Sequence, residues 1–74
     1  VLFLMNNRDK PGMVGYIGSL MGEHEVNIGS MSLNRDEEGG EALTVLNLDS
    51  VPPDALLDKV NADPDITNVQ VITL

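Results

Sequence analysis

The chain has 74 residues, 12 acidic and 4 basic, giving a formal net charge of −8, with no cysteine and a single Phe and Tyr. That length suits one domain, burying only about 60% of its unfolded surface, with no disulfide to staple it and no thiolate for a metal. The acidity opposes nucleic acid and anionic membranes, two scattered rings cannot make a base-stacking platform, and no apolar run approaches the roughly 20 residues of a membrane-spanning helix.

Residues 1–5 form a continuous apolar run, which reads as a central strand. A helix is expected to begin near Pro11. Its apolar residues Met13, Val14, Ile17, Leu20 and Met21 fall on one stripe. Gly15, Gly18, Ser19 and Gly22 between them weaken helix propensity, so packing must hold the helix, and Gly18 is expected to lie tight against the sheet. His24 is expected at its C-terminal end, where a proton on it favours the dipole. Ser30, Ser32 and Asn34 then alternate with Met31 and Leu33, the period of a strand with one wet face. Val26 and Ile28 have the opposite parity, so Gly29 marks a bulge or bend. Residues 35–40 read as an acidic turn and residues 42–49 as a third strand, making a hairpin with the second. Pro52-Pro53-Asp54 opens a second helix, with Ser50 or Asp54 helping at its start and Leu56, Leu57 and Val60 as its apolar face. Asp63-Pro64-Asp65 stops it, and residues 66–74 make the last strand. The order β-α-β-β-α-β predicts an α+β, ferredoxin-like domain: a four-stranded antiparallel sheet with two helices on one face. The whole of residues 1–74 reads as one domain, and the start at Val1 without a Met reads as a piece of a longer protein.

Catalytic constellations are missing from the residue inventory. One histidine and no cysteine rule out a Cys–His pair, and no serine sits in a recognisable nucleophile motif beside His24. The acidic residues from Asp36 to Asp54 do not follow the spacing of a calcium loop and read as a solvated rim. No catalytic residue and no metal site are therefore expected. The stretch Asn7-Arg-Asp-Lys-Pro-Gly-Met-Val-Gly15 is different. It joins the first strand to the first helix, Gly12 leaves backbone open to close approach, and helix-start N–H groups favour a small carboxylate. The same Asp9-Lys10-Pro11-Gly12 also composes an ordinary helix start with Pro at the first position. Asp9 also reads as a turn carboxylate, and Asn27 as a turn residue at the helix–strand junction.

The chain resembles the ACT family of amino-acid-binding regulatory domains. The resemblance rests on Asp9-Lys10-Pro11-Gly12, Ile17, Leu20, Gly22-Glu23-His24, Val26-Asn27-Ile28, Met31, Arg35, Gly39-Gly40-Glu41-Ala42-Leu43 and Pro64. Within that family it is most similar to the C-terminal, serine-binding regulatory domains of D-3-phosphoglycerate dehydrogenases. The resemblance implies L-serine or a similar small amino acid as effector, held by Asn7, Asp9, Pro11, Gly12, Met13 and Asn27. Asn27 would come from the partner subunit of a homodimer. Asn7 stands where serine-regulated relatives often carry a ring-bearing side chain. The fragment itself is then no enzyme and holds no cofactor, while its parent uses NAD in the cytoplasm. An L-serine dehydratase as parent, and a ligand-free dimerisation module, are the alternative readings.

Overall fold

The computed structural model describes residues 1–35 and 40–73. The acidic turn expected around residues 36–39, and Leu74 at the end of the last strand, lie outside them. The elements run β1 (Leu2–Arg8), α1 (Met13–Glu23), β2 (Ile28–Arg35), β3 (Glu41–Leu48), α2 (Asp54–Ala62) and β4 (Ile66–Ile72). All pairings are antiparallel, in the order β2-β3-β1-β4. The fold is the expected ferredoxin-like one.

Alternation along the strands puts one side chain in two under the helices. Phe3, Met5 and Asn7 of β1 lie opposite Leu46, Thr44 and Ala42 of β3, and all six are buried. Met13, Ile17, Leu20 and Met21 of α1 and Leu56 and Val60 of α2 close over them into one core with Leu48 and Ile66. The apolar period read from α1 is therefore its buried face, except that Val14 is half exposed. β2 slips its register against β3 between Ile28 and Ser30, which is the irregularity expected at Gly29. A side chain there would press on the Asn47 carbonyl oxygen, 3.3 Å from the position of a Cβ.

Three local expectations are corrected. The first is that Pro11 is not the first helical residue. Met13 is, and Gly12 caps it at φ 88°, ψ −12°. With the Met13 N–H donating to the Lys10 carbonyl at 3.4 Å, this is the signature of a type II turn, whose third position demands positive φ. The second concerns Gly18, which is exposed with nothing within 4 Å of a Cβ built on it, so it does not serve helix–sheet packing. The last concerns α2, which starts at Asp54 behind Pro53 with no side-chain cap from Ser50 or Asp54. Pro53 suffices because its extended backbone (φ −71°, ψ 158°) aims its carbonyl at the Leu56 and Leu57 N–H groups.

His24 caps the C-terminus of α1, its Nδ1 3.0 Å from the Leu20 carbonyl oxygen. The next residue, Glu25, takes a left-handed conformation (φ 58°). The Val26 N–H then returns to the Met21 carbonyl and the Glu25 N–H to the Gly22 carbonyl, a Schellman motif with buried residues at both ends of its longer bond.

Candidate functional site

β1 delivers the chain to the site under tight backbone control. The Arg8 N–H donates to the Asp65 carbonyl at 2.8 Å and the Asp9 N–H to the Gly40 carbonyl at 2.7 Å. The type II turn then reverses the chain into α1 and leaves the helix start without a side-chain cap. Between this turn and the end of β2 lies a cleft of about 420 Å³. Asp9, Pro11, Gly12 and Val14 line one side of it, and Leu33 and Arg35 of β2 the other. That volume falls within the usual range for small-molecule sites.

The cleft holds two opposite charges side by side. The Asp9 carboxylate, with its side chain 14% exposed, sits 3.2 Å from Arg35 Nε. Two neighbouring cations are committed elsewhere: the Lys10 ammonium donates to Asp65 Oδ2, and Arg8 Nε lies 3.7 Å from Asp65 Oδ1. The Lys10 hydrogen bond, with the positive charges of Lys10 and Arg8, holds the Asp65 carboxyl below the usual carboxylate range. A separate hollow of about 290 Å³ lies on the other side of the turn, where Met13, Tyr16 and Asp63 join Lys10, Pro11 and Gly12.

The expected site residues thus separate. Asp9, Pro11 and Gly12 line the cleft. Met13 is buried and faces the neighbouring hollow. Asn7 is only 2% exposed and lies beneath the loop. Its Oδ1 accepts from Thr44 Oγ at 2.6 Å and its Nδ2 donates to the Arg8 carbonyl at 3.2 Å. Asn27 precedes β2, donating to Asp49 Oδ2 at 2.6 Å. The length of that strand, roughly 25 Å at the usual rise, parts it from Arg35. Lys10, Val14, Leu33 and Arg35 are the cleft residues not anticipated as site residues. Arg35 belongs to the family-like pattern, but its meeting with Asp9 depends on how β2 lies beside the β1–α1 loop.

Among the described residues no three His, Asp or Glu side chains converge to hold a metal ion. The β1–α1 turn, with Pro11 ahead of Gly12, is not the Gly-x-Gly-x-x-Gly turn that admits a pyrophosphate. Among them, too, no helix is long and apolar enough to cross a membrane.

The ferredoxin-like sheet carries a charged cleft between its first loop and an edge strand, and the chain belongs to the ACT domain family, whose model matches residues 1–65. It is similar to D-3-phosphoglycerate dehydrogenases: 38% identical over 74 residues to that of Methanocaldococcus jannaschii, 39% over 74 to that of Synechocystis and 33% over 73 to that of Bacillus subtilis. These alignments cover 99–100% of this chain but only 13–14% of each relative's length.

Proposed function

We propose that this domain is the effector-binding regulatory module of a D-3-phosphoglycerate dehydrogenase, and that it takes L-serine between two copies of itself. The observation that carries this reading is the cleft itself, in which the Asp9 carboxylate stands beside an uncapped helix start and next to an edge strand. A free amino acid needs an acceptor for its ammonium and donors for its carboxylate. Asp9 meets the first need, and the backbone around Gly12 the second. Asn7 and Met13 shape the loop from behind. Asn27 is supplied by the partner: when β2 pairs antiparallel with its own copy about a two-fold axis, the start of one strand lies beside the end of the other.

β2 is also the more suitable edge for such pairing. The opposite edge, β4, is interrupted in mid-strand by left-handed Asn68. In this reading the dehydrogenase oxidises its phosphorylated substrate with NAD on other domains, in the cytoplasm. Serine, the end product of that route, inhibits by favouring one arrangement of domains, and only by the difference in its affinity for the two.

Calorimetric titration of the full-length protein with L-serine tests this. Asp9→Ala should weaken binding by about 1.5–3 kcal/mol, the worth of a hydrogen bond to a charged group. Asp58→Ala, on the exposed face of α2, should leave it unchanged. Equal affinity in the two variants would overturn the assignment of Asp9. No binding by the unaltered protein would leave a dimerisation module without a ligand, and coupling of serine to a dehydratase activity would move the domain to an L-serine dehydratase.

A further inference from the structure

Arg35 closes β2 and forms the wall of the cleft opposite the helix start. Its guanidinium has five N–H donors in a rigid fork. Among the described residues the one ion-pair partner of that fork is Asp9, engaged through Nε at 3.2 Å, and the side chain is otherwise half exposed, 49%. A surface pair of this kind adds little to stability by itself. Its placement has another consequence. The ammonium and carboxylate of an α-amino acid sit on one carbon, a fixed ion pair, and the cleft presents a second ion pair of comparable reach on its wall.

We propose that Arg35 is a specificity-determining residue of this cleft: with Nε held by Asp9, its remaining N–H groups join the backbone around Gly12 in receiving the carboxylate of the bound zwitterion, so that Asp9 and Arg35 together read both charges of an α-amino acid. This rests on the amino-acid reading given above. Asp9 has a second oxygen for the ammonium while its first holds Arg35, and the planar fork suits a carboxylate better than a lysine ammonium does. The ligand lies antiparallel to the protein's own ion pair, each charge facing its opposite. Amines without the carboxylate, and acids without the amine, each lose half of that match.

The experiment is a titration of the full-length protein with L-serine and with L-serinamide near about pH 6, well below the ordinary α-amino pKa, so that both ligands carry the ammonium. The unaltered protein should prefer L-serine to serinamide by about 10- to 100-fold, the range of one charge-assisted bond. Arg35→Gln should lower the affinity for L-serine by a similar factor and leave serinamide nearly unchanged, removing most of the preference. Arg35→Lys should restore part of it. Arg35 is half exposed at a strand end, so an unchanged circular dichroism spectrum is expected for both variants. A parallel loss of both ligands in Arg35→Gln would reduce Arg35 to holding Asp9 in place and overturn the proposal, as would unaltered serine affinity. A native protein that binds serine without preferring it over serinamide overturns this proposal alone. One that binds neither overturns the amino-acid reading as well.

Discussion

Asn7 and Thr44 form a buried side-chain pair within the core face of the sheet, and the Thr44 hydroxyl is the donor that the Asn7 Oδ1 depends on. Buried polar groups are cheap only while they remain paired. Thr44→Val keeps the shape and removes the donor, so it should destabilise the domain by about 1–3 kcal/mol. Asn7→Leu combined with Thr44→Val should lose less than Thr44→Val alone, because the orphaned Asn7 side-chain carbonyl is gone, and the Arg8 carbonyl that Asn7 also served belongs to an exposed residue. Urea denaturation midpoints of the three variants check both statements. The pairing also explains how Asn7 differs from its reading in the sequence. A strand-end asparagine four residues before Pro11 is equally a ligand contact or an interior partner, and only the register that sets β3 beside β1 placed a threonine within its reach.

Each secondary-structure element is held by local patterns that are legible in order. The stripe of α1 and the alternation of β2 match the apolar surface each must bury. The opposed parity around Gly29 matches a real slip in register. Ends were harder to read. Helix α1 finishes through a left-handed residue that is Glu25, not a glycine, so the usual punctuation of a Schellman ending is missing from the sequence. A non-glycine residue in that conformation costs about 1–2 kcal/mol. Glu25→Gly should therefore stabilise the domain by about 1 kcal/mol and raise its Tm by about 4–8 °C, measured by thermal unfolding. At the other end of α1, the Pro-Gly pair is compatible with a proline inside the first turn or just ahead of it. The bond from Met13 to Lys10 selects the second.

At the scale of the whole molecule, 4468 Å² of surface remains exposed. A compact monomer of 8.0 kDa should expose about 4450 Å² by the usual scaling with mass. One chain is thus as compact as a folded monomer of its mass, and the pairing of two copies proposed above would serve the edge strand and the cleft more than the interior. If Asn27 crosses to the partner's cleft, ligand binding and dimerisation are linked. Sedimentation of the full-length protein should then show L-serine strengthening association. Asn27→Ala should abolish that strengthening while leaving the ligand-free association constant nearly unchanged. Association indifferent to serine would place the ligand within one subunit.

The sequence by itself determined the element order, the apolar faces of α1 and β2 and the irregularity at Gly29, and it singled out the loop before Gly12. These are properties of neighbours along the chain, since periodicity and turn chemistry act over a few residues. The pairing of Lys10 with Asp65, 55 positions apart, of Asn7 with Thr44, 37 apart, and of Asp9 with Arg35 across the cleft was decided by the tertiary structure alone. Register, twist and the approach of one loop to another strand fix such meetings. A charge in a sequence carries its sign but not its neighbour, and only when β2 lies down beside the β1–α1 loop do Asp9 and Arg35 become one site.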